Sequence, residues 1–128
     1  MKLLLDTCTF LWAIDKRAEF SDRARALIVD PDNDVYLSAI SAWEIALKQE
    51  RGNLTLSEPA FRYVPKQRHA HGYLELPLDE TAALRSGRLP ALHKDPFDRM
   101  LVCQAIEHGL VILTPDVHIS QYPVRTVW

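Results

Sequence analysis

Two short apolar runs, each closed by an acid, constrain this chain most. Leu3-Leu4-Leu5 leads directly into Asp6, and the run from Leu110 to Leu113 leads through Thr114-Pro115 to Asp116. Both runs are too short for a helix. Neither alternates with polar residues, so both suit strands buried on both faces. A strand of that kind needs helices on each side of its sheet, and the rest of the chain supplies them.

Helical signals lie between the strand signals. Residues 9–14 and 22–29 read as helices, the second behind a Ser21 cap. Asp30-Pro31-Asp32-Asn33 is a turn, and 35–37 is a second strand. A helix is expected over 41–50, with Lys48 and Arg51 near its end and Gly52 just beyond. Another is expected over 57–70, with Glu58-Pro59 in its first turn. A short strand at 74–76 and a short helix at 81–84 follow. The clearest helix is 96–108, with Asp95 as cap, Pro96 at its first position and Gly109 as its stop. Residues 124–127 give a weak last strand. This alternation specifies an α/β fold, a three-layer α/β/α sandwich with a mainly parallel central sheet. Its 128 residues are expected to form one domain, 1–128.

Charge narrows the function. Fifteen Lys+Arg against 17 Asp+Glu give a net charge of −2, whereas a module that binds nucleic acid by charge alone is usually basic. The balance leaves room for an enzyme whose acids hold metal. Only two cysteines occur, Cys8 and Cys103, far apart in the sequence. They make neither a disulfide framework nor a zinc site. The opening apolar burst stops at Asp6, too early for a signal peptide, and no apolar run reaches the length of a membrane span. A cytoplasmic location without membrane contact is expected.

In a parallel sheet the ligand crevice lies outside the strands' C-terminal ends. Asp6 and Asp116 follow strands, and Glu44 sits early in the helix after the second strand. Asp98 opens a helix that leads back to a strand start, so spacing alone assigns only three of the four acids to one cleft. Each acid also has a purely structural reading. Asp6 and Asp95 can cap helices, Ser41-x-x-Glu44 is a capping box, Asp98 complements a helix dipole and Asp116 suits a turn. Against the cap reading, Glu44 shares a helical stripe with Ile40, Trp43 and Leu47, where an unpaired carboxylate is costly. Grouped carboxylates repel unless protons or a hard cation neutralise them. Oxygen-only donors at strand ends suit Mg²⁺, with Mn²⁺ as a substitute, and such sites support phosphodiester hydrolysis.

The motifs together resemble the PIN-domain ribonucleases, and among them the VapC-type toxins of type II toxin–antitoxin systems. The resemblance is carried by Leu-Leu-Leu-Asp6-Thr7, by Ser38-Ala-Ile-Ser41-Ala-Trp43-Glu44-Ile45-Ala46, by His93-Lys-Asp95-Pro96-Phe97-Asp98-Arg99, and by Leu113-Thr114-Pro115-Asp116. The closing Tyr122-x-Val124-x-Thr-Val-Trp128 also matches. It implies catalytic Asp6, Glu44, Asp98 and Asp116, with Asp6, Asp98 and Asp116 as the metal ligands. It also implies an RNA substrate, a cognate antitoxin protein and a homodimer, the dimer being further suggested by Phe10 and Trp12 as surface aromatics. Thr7, Thr114, His93 and Arg99 are candidate water or substrate contacts, and Asp95 is a candidate extra member of the metal site. Two positions depart from the pattern. Cys8 stands where many relatives carry a small hydroxyl residue, and Pro115 where a basic residue is common.

Three other readings remain open on the sequence. One is a PIN-like nuclease for RNA processing or DNA trimming without an antitoxin. Another is an aspartyl-phosphate phosphatase built on Asp6-Thr-Cys-Thr9, which would need a second carboxylate where Cys8 stands. The third is a binding module whose acids are only caps. Arg62, Lys66, Arg68, His69 and His71 read either as an RNA-backbone contact or as a solvated face.

Overall fold

The computed structural model describes residues 1–128. Five strands form one sheet: β1 (Lys2–Leu5), β2 (Asp34–Ser38), β3 (Leu74–Leu76), β4 (Val111–Leu113) and β5 (Thr126–Val127). Their order is β3-β2-β1-β4-β5, and every pairing is parallel. The helices are α1 (Thr7–Asp15), α2 (Asp22–Val29), α3 (Ala39–Glu50), α4 (Ala60–Ala70), α5 (Glu80–Arg85), α6 (Pro96–His108) and α7 (Val117–Ser120), with a 3₁₀ turn at Ser86–Arg88.

The apolar runs act as expected for central strands. Leu3 and Leu5 of β1 share a core with Val35, Leu37, Val111 and Leu113, together with Phe10, Ala24, Tyr63 and Val64 from the covering helices. Leu4 and Ile112 face the other way, onto Leu101, Val102 and Cys103 of α6 and Ile119 of α7. Strand side chains alternate between faces, so one unbroken apolar run feeds two cores. No helix is long and apolar enough to cross a membrane.

Several local expectations are corrected. The cap of α3 is Ser38, whose Oγ accepts from the Ile40 N–H at 3.0 Å. Ser41 is therefore inside the helix rather than a capping-box residue, and Glu44 falls in the second turn. Trp43 is not on the buried stripe: α3 buries Ile40, Ser41, Glu44 and Ile45 instead. Helix α4 starts at Ala60, three residues later than expected. Its entry is fixed from α3, because Gln49 Oε1 accepts from the Ala60 N–H at 2.7 Å and Gln49 Nε2 donates to the Glu58 carbonyl. A cap borrowed across the structure leaves no local sequence signal. Phe10 is fully buried and Trp12 packs edge-on against Trp128. Phe10 thus offers no surface to a second copy.

Candidate active site

All strand C-termini share one edge, and the order reverses between β1 and β4, which is where ligands enter such sheets. Asp6 and Asp116 follow those two strands. Asp6 is the N-cap of α1: its Oδ1 accepts from the Thr9 N–H at 2.7 Å. Its Oδ2 accepts from the Thr114 hydroxyl, which in turn accepts from the Asp116 N–H at 3.0 Å. Asp116 caps α7 through the His118 N–H at 2.8 Å. The loops after β1 and β4 are thus tied across the switch point through one hydroxyl.

Asp98 comes close enough to Asp6 and Asp116 to feel both charges. A helix that delivers the chain to the start of a parallel strand begins at the opposite, C-terminal edge. The first turn of α6 therefore belongs beside Asp6, and the direction that complicated Asp98 in the sequence is what places it. Burial, then the field of Asp95, push its carboxyl up to about 6, with Asp116 and Asp6 adding to the rise and the His93 hydrogen bond opposing it. Burial raises Asp6 first, against its hydrogen bonds from Thr114 and Thr9, and Asp116 adds its field. Desolvation, Asp6, Glu44 and Asp98 all raise the Cys8 thiol, partly offset by Lys48. One thiol thus senses three of the acids.

Glu44 is buried and fully engaged. Thr7 donates to Oε1 at 2.6 Å and lies 3.0 Å from Ser41 Oγ, while Lys48 Nζ meets Oε2 at 2.7 Å. Burial alone would lower Lys48, but the hydrogen bond and charge of Glu44 outweigh it and raise the ammonium. Lys48 is one turn on from Glu44. That spacing was readable in the sequence but was assigned only to the helix end.

A second network supports Asp98. His93 Nε2 lies 3.3 Å from Asp98 Oδ2, and His93 Nδ1 lies 2.6 Å from the Tyr122 hydroxyl. An ionised Asp98 only accepts, so a neutral His93 facing it has its proton on Nε2 and takes the Tyr122 hydroxyl at Nδ1. The Tyr122 oxygen also accepts from the His93 N–H and from Arg99 Nη1. The His93 ring stacks in parallel on His118, with centroids 5.7 Å apart. Sequence reasoning missed the part of Tyr122 and His118, because nothing local links them to position 93. Arg99, read as a phosphate contact, instead spends its guanidinium on the carbonyls of Pro90, Ser86 and Leu89 and on Tyr122. It clamps the segment before α6. Tyr122→Phe would orphan these donors and His93 Nδ1, and is expected to lower stability by about 1–3 kcal/mol in urea unfolding.

Asp95 accepts from the N–H groups of Phe97 and Asp98 at 2.9 and 3.2 Å. Asp95→Ala is expected to cost about 0.5–2 kcal/mol of stability, as thermal melts would show. No three carboxylate, imidazole or thiol groups stand close enough to form a finished metal cage. A cavity of about 240 Å³ lies away from the acids, between α3, α4 and the β3 edge. Within the basic cluster, Lys66 pairs with Glu58 and Arg68 with Glu75, the pattern of a solvated face.

Residues 3–124 match the PIN domain family. The chain belongs to the PIN domain family. Ribonuclease VapC16 of Mycobacterium tuberculosis is 37% identical over 76 residues, which cover 58% of this chain and 54% of that protein. The chain therefore spans about half the length of the curated relative it matches. Among solved structures, the VapBC2 complex of Rickettsia felis bound to promoter DNA superposes with a TM-score of 0.75 at 14% identity, covering 100% of this chain and 99% of the other. DNA-bound VapBC of Salmonella typhimurium gives 0.69 at 20% identity, with 99% and 97% covered. FitAcB of Neisseria gonorrhoeae gives 0.66 at 23%, with 98% and 96% covered. These likenesses carry the fold. In this PIN domain the donors at the acidic edge are hard oxygens, two of them on carboxyls raised by burial and mutual repulsion, and that donor chemistry fits a divalent cation.

Proposed function

We propose that this PIN domain is a divalent-metal-dependent endoribonuclease, the toxin of a type II toxin–antitoxin pair. The observation that carries the reading is the convergence of acids at the switch point: Asp6 and Asp116 follow the adjacent strands β1 and β4 and are joined through Thr114, and the Asp98 carboxyl, raised first by burial and then by Asp95, also lies in the field of both. The family match, the relative named as a ribonuclease and the VapBC fold neighbours support it.

Asp6, Asp98 and Asp116 would hold Mg²⁺ or Mn²⁺. Bound there, the cation supplies a hard positive charge that neutralises phosphate oxygens and acidifies water. The remaining work belongs to the chain. Thr114 fixes the Asp6 carboxylate. His93, braced by Tyr122, fixes Asp98. Glu44, held by Thr7 and Lys48, would orient a water through the carboxylate lone pairs those contacts leave free.

The proposal includes a cytoplasmic setting and an antitoxin chain that covers the acidic edge. It also includes a homodimer, on the family resemblance alone. Co-expression with the protein encoded next to it tests the partner. The expected result is a stable complex that cleaves RNA at least about tenfold more slowly than the free chain. Equal rates for the two would contradict an antitoxin.

A further inference from the structure

Trp43 is 57% exposed, an unusual state for a large aromatic that precedes a buried glutamate. It is not loose. Its ring meets Phe97 edge-to-face, with centroids 5.1 Å apart and planes at 70°. Phe97 in turn packs into the core under α6. The two aromatics bridge α3 and α6, and the next residue after each is an acid of the candidate site, Glu44 after Trp43 and Asp98 after Phe97. An edge-to-face contact occupies at most one face of the indole, and the contact with Phe97 holds the exposed ring against the first turn of α6, which also carries Asp98.

The ribonuclease reading leaves a binding problem that this surface answers. The chain carries a net charge of −2, Arg99 is spent on carbonyls, and Lys48 is paired with Glu44. Coulombic attraction alone is a poor means of holding a polyanion here. Stacking of unpaired bases on aromatic side chains is independent of charge and tolerant of sequence. A strand whose phosphate lies at the acids brings a flat ring to their border, which an aliphatic segment of a partner protein does not.

We propose that Trp43, braced by Phe97, is the stacking platform for an unpaired nucleobase next to the reacting phosphate of single-stranded RNA. The proposal rests on the ribonuclease reading and deepens it by naming a base-binding position.

The test is a binding cycle with two probes: a short single-stranded oligoribonucleotide, and a ribose-phosphate oligomer of the same length without bases. Both are titrated with chelator present, so that neither is cut, against the parent chain, Trp43→Ala and Trp43→Phe. Affinities of all three chains are read by the anisotropy of dye-labelled probes; Trp12 and Trp128 pack against each other, so in the parent Trp43 is in addition the indole placed to report stacking by fluorescence quenching. The expected result is quenching in the parent by the base-containing probe. Trp43→Ala then weakens that probe roughly 5- to 160-fold, the loss of one stacked base, with Trp43→Phe in between. The baseless probe binds all three alike, and the melting temperatures stay together. An equal loss with both probes, no loss with either, or no binding of RNA to the parent would overturn the platform. Cleavage by the parent in a separate Mg²⁺ reaction, with no coupling between Trp43 and the bases in the titrations, sinks the platform alone. Absence of both cleavage and binding sinks the ribonuclease reading with it.

Discussion

Asp98→Asn is expected to remove RNA cleavage, by at least about a hundredfold in rate, as for loss of a group that acts electrostatically in the transition state, without lowering the melting temperature at neutral pH. The substitution keeps the shape, removes a charge and replaces one donor oxygen with an amide. Stability follows from the raised carboxyl. Asp98 titrates near 6 in the folded chain against an ordinary value of 3.8, so the folded state holds the extra proton between these values. Folding stability therefore falls as pH rises from about 4 to about 6, and the penalty persists above that. A shift of this size corresponds to roughly 1–3 kcal/mol for a side chain still partly open to water. An asparagine has no such penalty. The variant's stability should show less pH dependence than the parent's across that window, and at pH 7 without metal it should melt no lower. A normal cleavage rate in Asp98→Asn would remove Asp98 from the site. A large stability loss would make it a structural residue.

Millimolar Mg²⁺ or Mn²⁺ should raise the melting temperature of the parent chain. Binding to the folded state alone stabilises by mass action, about 2.7 kcal/mol at a hundred times the dissociation constant. At about 4 °C per kcal/mol for a chain of this size, that is about 10 °C. The response should strengthen as pH rises through about 6, because Asp98 must lose its proton to act as a ligand. Asp6→Asn should lose the response and, free of metal, melt no lower than the parent. Differential scanning calorimetry over a metal titration reads both. An undiminished metal response in the single Asp6, Asp98 and Asp116 variants would place the cation elsewhere.

Much of the frame was legible because its signals are local. Leu3-Leu4-Leu5 and the run ending at Leu113 read as buried strands, since nothing else suits short apolar runs. The Asp95-Pro96 start and the Gly109 stop fixed α6 at both ends, and Gly109 takes the left-handed conformation (φ 65°) that ends the helix. What failed depended on distant partners. Ser41 looked like a cap because a glutamate follows at the right spacing, but Ser38 takes the cap and Ser41 faces Thr7 on another helix. The start of α4 was misplaced because its cap comes from Gln49. In the site, the acids could be picked out by position after strands and at helix starts. The Tyr122–His93–Asp98 chain could not, since residues 29 positions apart meet only once α6, β4 and α7 are assembled. Trp43 shares a helical stripe with Ile40 and Leu47 in the sequence, but packing turns α3 to bury Ile40, Ser41, Glu44 and Ile45 and leaves Trp43 exposed.

The central claim is that the acids gathered at the C-terminal edge of the sheet cut RNA with the help of a divalent cation. The most direct measurement is mapping of cleavage ends on total RNA treated with the purified chain, in Mg²⁺ and in chelator, beside Asp6→Asn prepared in the same way. The expected result is a defined set of new ends with the parent in Mg²⁺, absent in chelator and absent with Asp6→Asn. The same ends appearing at the same rate with Asp6→Asn, or no ends from a parent chain that binds Mg²⁺ at these carboxylates, would contradict it.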